Sequence, residues 1–268
     1  MSQSVQIPSN PTHPGFVVRP RVIAAACIIV LTALGWLYLG FEVSRSGSVA
    51  AALCRPLAVV VSPINIALLS GMWAAMTFAM MIPSAAPMIM TYSEIAEAGA
   101  RKNVEVISPL IIVAGYSAVW LGFAVFATLL QLTLPTFSAD AAGATLTAGL
   151  FAFAGLYQFT SLKHACLSRC RAPFQFFFTN WRTTTGGVFQ LGLQQGIFCL
   201  GCCWAMMLVM LAAGAMNVVW MVALAIAMTA EKLVGGALVS RVLGGAWLLV
   251  AALFALAALG VMPNLFAL

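Results

Sequence analysis

The sequence predicts an all-α fold, a polytopic transmembrane helical bundle with its N-terminus in the cytoplasm. About seven spans are expected, with six as the alternative count. Three observations predict this fold. Hydrophobic residues make up 63% of the 268 positions and charged residues only 7%, too few polar groups to cover a water-soluble domain. The apolar runs are long and unbroken, where the strands of a membrane barrel would alternate. The basic residues fall in alternate loops. Arg19, Arg21, Arg101, Lys102, Lys163, Arg169, Arg171, Arg182, Lys232 and Arg241 stand on one side, against Arg45 and Arg55 on the other. The basic side is the cytoplasmic one.

The elements follow in order. Residues 1–20 carry Pro8, Pro11, Pro14 and Pro20 and are expected to form a disordered cytoplasmic tail. Residues 21–268 show no internal repeat and form a single transmembrane helical domain. The first span is expected over 22–41. Arg19 and Arg21 precede it as in a signal sequence, but the run is long and has no convincing cleavage site, so it reads as an uncleaved span. Further spans are expected over 64–90, 106–132, 145–160, 187–213, 218–230 and 239–261, the sixth of them short. This count places the C-terminus outside.

Composition excludes several functions. The net charge of +6 comes from residues between apolar runs, so it marks topology and lipid headgroups, not nucleic acid; the lipid bilayer is the expected partner. Seven cysteines, an odd number lying mostly in apolar runs, do not make a disulfide framework. Cys27 and Cys54 stand alone and read as packing, with a periplasmic thiol as the alternative for Cys54. Histidine occurs only at His13 and His164, which excludes a bis-histidine haem between spans. The acids Glu42, Glu94, Glu97, Glu105, Asp140 and Glu231 all fall at or outside span ends, against a carboxylate proton relay. Glu231, beside Lys232, reads as an ion-paired helix end. No phosphate loop, nucleophile elbow or zinc-protease motif occurs, and no catalytic residue is identified.

Sulfur is the remaining signal. Cys199, Cys202 and Cys203 are followed by Met206, Met207 and Met210 in the fifth span. At about 100° per residue these six form one helical stripe. Thiolates and thioethers select soft metals, Cu(I) foremost. In the second span Met72, Met76 and Met80 repeat every four residues, and Met76 is expected at the depth of Cys199. Pro83 and Pro87 share that face and are expected to open the helix. Packing alone would also explain a methionine stripe, but three thiols within one turn answer no packing need. Gln195 lies on the cysteine stripe and could hold a ligand. In the loop after the fourth span, Cys166 and Cys170 share a face if helical, with His164 near. There Lys163, Arg169 and Arg171 are expected to lower the thiol pKa values; the alternative is a basic loop anchored to lipid headgroups with incidental cysteines.

These segments carry a resemblance. The run from Trp73 to Pro83, Tyr157-Gln158, the run from Leu162 to Pro173 (Leu-Lys-His-Ala-Cys-Leu-Ser-Arg-Cys-Arg-Ala-Pro), Gly196 to Trp204 and Glu231-Lys232 resemble a bacterial family of integral membrane proteins predicted to bind metal and in part labelled copper chaperones. The resemblance implies metal binding and spans most of the chain.

Residues and resemblance together lead to one expectation: an inner-membrane Cu(I)-binding protein for copper handling or cuproenzyme assembly. Cys199, Cys202, Cys203, Met76, Met80 and Met206 are its expected sulfur ligands. Cys166, Cys170 and His164 would form a cytoplasmic-side station. One thiolate with thioethers would leave bound Cu(I) neutral in the bilayer. Two alternatives stay open. One is a non-catalytic accessory subunit of a larger membrane complex. The other is a membrane thiol–disulfide protein using Cys199 and Cys202, which would need local unwinding to pair.

Overall fold

The computed structural model describes residues 19–45, 63–102, 106–133, 141–213, 218–234 and 236–261. His13, Cys54 and all but the last two residues of the expected tail lie outside these. The described residues form helices and no strand: α1 Pro20–Arg45, α2 Pro63–Ala100, α3 Pro109–Thr133, α4 Ala141–Tyr157, α5 Ser161–Arg171, α6 Pro173–Asn180, α7 Thr185–Ala213, α8 Val218–Leu233 and α9 Leu238–Ala258. Proline opens α1, α2, α3 and α6, where its fixed φ suits a helix start and its missing N–H costs nothing. Thr160 caps α5 by accepting from the Lys163 N–H at 3.3 Å. Gly236 and Gly260 take positive φ just beyond α8 and α9, as a left-handed helix stop requires.

Seven of these helices are the expected apolar ones. Five are long and apolar enough to cross a membrane. The other two fall short: α4 has 17 residues and α8 has 16, about 24–26 Å of helix against a hydrocarbon core of about 30 Å. The second expected span is corrected in the other direction. It runs unbroken through Pro83 and Pro87 and on to Ala100, so the prolines do not end it. Between the fourth and fifth expected spans the chain folds as α5 and α6, the helical form in which Cys166 and Cys170 share a face. Helix α5 packs on α7 and α8, and α6 packs on α2.

Small residues set the helix crossings. An added Cβ at Gly115 would run into the Phe189 carbonyl, and one at Gly192 into the Ile112 carbonyl, so α3 and α7 touch backbone to backbone. At Gly35, α1 lies against the backbone of Ala75 and Ala79 in α2. Arg21 pairs with Glu94 at 3.1 Å and Glu97 at 3.3 Å. Tyr92 stacks on Trp181 with centroids 5.6 Å apart, and Arg171 donates to the Glu231 carbonyl at 2.8 Å. These contacts bring the start of α1, the end of α2, α5–α6 and the end of α8 to one end of the bundle. A strict alternation of spans requires the same grouping. This chain is an all-helical membrane protein.

Candidate metal centre

On α7 the spacing of Cys199, Cys202 and Cys203 puts three thiols on one face. All three are buried, and their Sγ atoms lie within 4.8 Å of one another. Cys202 Sγ is 3.3 Å from Cys203 Sγ and donates to the Cys199 carbonyl at 3.1 Å. A fourth sulfur joins them from α5: Cys170 Sγ lies 4.0 Å from Cys202 Sγ. The approach of α5 depends on Gly201, where an added Cβ would sit 2.6 Å from Cys166 Sγ. The α4 residue Tyr157 donates to the Gly201 carbonyl from the other side.

Polar groups from three other helices meet Cys199. Tyr116 Oη on α3 lies 3.0 Å from Cys199 Sγ and donates to the Met81 carbonyl at 3.1 Å. Lys232 Nζ on α8 donates to Cys199 Sγ at 3.1 Å and to Ser84 Oγ on α2 at 2.6 Å. The short length of α8 explains this placement. Cys199 and Lys232 stand equally far in sequence from residues 214–217, which join α7 to α8, so the end of α8 falls level with the cysteines. A cavity of about 20 Å³ remains, lined by Ser84, Ala85, Met88, Tyr116, Cys170, Gln195, Cys199 and Lys232; that is about the space of one water molecule. Gln195 is buried there with its Nε2 unpartnered.

A buried ion pair closes the basic end. Lys163 Nζ meets Glu231 Oε2 at 2.8 Å, and the two side chains are 0% and 1% exposed. Arg171 donates to the carbonyls of Glu231 and Gly236, and Arg169 lies over the Phe198 ring at 5.5 Å.

Not all the expected site residues line this cavity. Met76, Met80 and Met206 are buried core residues; from α2 the cavity is lined by Ser84, Ala85 and Met88 beside Cys199, and the Met81 carbonyl accepts from Tyr116. That level is about 8–18 Å further along the helix axis than Met76, at about 1.5 Å per residue. The expectation placed Met76 opposite Cys199 because it ended α2 too early. Cys166 and Cys170 do lie on a helix and face the bundle. Cys170, however, belongs with the α7 thiols and not to a separate station, while His164 stays half-buried on α5. Among the described residues no histidine or carboxylate joins the three α7 thiols.

The expected lowering of the α5 thiol pKa values is also reversed. Burial pushes the Cys166 thiol up. Cys170 is held well above the ordinary range, first by hydrogen bonding with Cys199 and then by burial. The three cations that were to lower these values are engaged elsewhere, with Glu231, with two carbonyls and with a ring. Sequence reasoning missed Tyr116, Ser84 and the turn of Lys232 toward the cysteines. The available signal was two adjacent charged residues, Glu231-Lys232, closing an apolar run.

A helical membrane protein whose bundle encloses four thiols beside an ammonium is built around a thiol centre suited to a soft metal. The family model described as copper chaperone (PpoB2) matches residues 70–255, which include every residue of this centre, and the chain belongs to that family. No match was found among curated proteins or among solved structures.

Proposed function

We propose that the protein is a Cu(I)-binding copper chaperone of the bacterial inner membrane. In this reading Cu(I) is held by Cys199, Cys202 and Cys203, exchanged through Cys170, and delivered for assembly of a cuproenzyme. One observation carries it: four thiols from two helices converge with no imidazole or carboxylate in the group. Such a donor set is soft throughout and suits Cu(I) better than the harder divalent ions. It also exceeds what Cu(I) requires, so one thiol can leave as an incoming ligand arrives. Met88 and Gln195 complete the wall of the cavity, with Gln195 offering its unpartnered amide. His164 and Cys166, on the same helix as Cys170, lie on the approach from the basic end. That end faces the cytoplasm.

The test is Cu(I) binding by the reduced protein in mild detergent, measured by competition with a chromogenic Cu(I) chelator and by metal analysis. The parent should bind, and the Cys199→Ser, Cys202→Ser, Cys203→Ser triple variant should not, while keeping its helical circular dichroism. Undiminished binding by the triple variant would overturn the reading. So would a parent that binds no Cu(I).

A further inference from the structure

We propose that Lys232 is the counter-cation of the copper site and fixes its coordination at two thiolates, so that the loaded site carries no net charge. This rests on reading the thiol cluster as a Cu(I) site. The geometry begins with a cation that has no carboxylate. Glu231 adjoins Lys232 in sequence, but successive helical residues point about 100° apart, and the Glu231 carboxylate is taken by Lys163. The ion pairs among the described residues are Arg21–Glu94, Arg21–Glu97, Arg101–Glu97 and Lys163–Glu231, and none includes Lys232. Although the residue is partly exposed, its ammonium turns inward to Ser84 and Cys199. An ammonium held inside a bundle requires an anion beside it, and the group in place is the Cys199 sulfur.

Charge then counts the ligands. The Lys232 ammonium donates to the Cys199 sulfur. Cu(I) binds Cys199 and one further cysteine of the cluster as thiolates, and any thiol proton displaced passes to the carrier that delivered the copper or to water. The copper dithiolate is a monoanion, Lys232 is a monocation, and the sum is zero. One thiolate would leave the site positive and three would leave it negative, each an uncompensated charge inside the bundle. The sequence-based expectation of a single thiolate with thioethers omitted the ammonium and so reached neutrality with one thiolate too few. The remaining thiols stay protonated and free to take part in exchange.

The experiment compares the parent with Lys232→Gln and Lys232→Arg. It uses the same chelator competition and X-ray absorption at the copper edge to count sulfur neighbours. The parent should show two sulfurs. Lys232→Gln should lose at least about tenfold in Cu(I) affinity, as expected for truncating one member of a buried charge pair. Lys232→Arg, which keeps the charge, should retain most of the affinity and the two-sulfur spectrum. A three-sulfur parent overturns the inference, as does a Lys232→Gln variant that binds as tightly as the parent with the same spectrum. In either case the copper reading stands. A parent that binds no Cu(I) removes both. If Lys232→Gln does not fold, the sulfur count of the parent and the Lys232→Arg result decide.

Discussion

Helix α7 carries two sulfur-rich stretches, Cys199 to Cys203 and Met206 to Met210, and only the first is placed to do chemistry. Both are buried on the same helix face. Around the cysteines stand a tyrosine hydroxyl, a lysine ammonium and a serine hydroxyl from three other helices, with an unpartnered glutamine amide one turn away. Methionines and cysteines lie in the same buried core as Met76, Met80 and Met81, but no methionine sulfur takes part in a hydrogen bond among the described residues. Helical phase and sulfur content are alike in the two stretches. What separates them is the polar chemistry that neighbouring helices bring, because buried donors and cations are retained where a charged group must be satisfied.

The sharpest way to break this comparison is to exchange each stretch separately. Met206→Leu, Met207→Leu and Met210→Leu together conserve volume and should each cost under about 1.5 kcal/mol. Copper affinity should stay near that of the parent. The cysteine triple variant should fall to background in the same chelator competition. If the methionine variant loses as much copper as the cysteine variant, the stripe works as one unit and the distinction fails.

The next largest effect separates a cysteine end held by charge from a methionine end held by packing. Glu231→Gln leaves Lys163 buried without its partner, a loss of about 3–5 kcal/mol. Denaturant unfolding in detergent micelles should show it. Removing both charges, as Lys163→Met with Glu231→Leu, should recover a large part of the loss. If the single variant unfolds like the parent, the pair does not hold α5 against α8.

Much of this architecture was legible, and the illegible parts share a cause. Apolar length and helical period are local properties, so the seven apolar helices and the thiol face of α7 could be read directly. The end of α2 could not. Residues 91–100 mix Glu94 and Glu97 with Tyr92 and Ala96 and resemble a loop, yet Tyr92 and Ala96 are fully buried and keep the helix going. That error moved the expected partner of Cys199 from Ser84 and Met88 to Met76. Lys232 was misread for a longer-range reason. Beside Glu231 it looks paired. Only the folding back of α5, which delivers Lys163 to Glu231, frees it for the cysteines, and nothing near position 232 encodes that.

A smaller effect is expected where α3 meets α7. A Cβ at Gly192 would collide with the Ile112 backbone carbonyl, which cannot rotate away as a side chain would. Gly192→Ala should therefore push α3 outward at a cost of about 1–3 kcal/mol. Because α3 carries Tyr116, copper affinity should fall with thermal stability. A variant that loses stability but keeps the parent's copper affinity would show that the Tyr116 contact with Cys199 is dispensable to the site.

The smallest effect concerns Cys166, just outside the cluster, and it opposes two forces on one thiol. The flanking cations Lys163, Arg169 and Arg171 would favour thiolate and speed alkylation. Burial favours the neutral thiol and slows it. The folded structure commits the cations to Glu231, to the Phe198 ring and to backbone carbonyls, and burial raises the Cys166 pKa. The sign follows directly: a raised pKa means less thiolate at neutral pH in the folded protein than in the unfolded chain. Iodoacetamide labelling of the metal-free protein, followed at Cys166 by mass spectrometry, should be severalfold slower when folded than in denaturant at neutral pH. The folded rate should climb as pH rises through and beyond the ordinary thiol range. Faster labelling in the folded state would mean that the cations still govern this thiol. Cys166 would then resemble a reactive entry ligand and not a packing contact against Gly201.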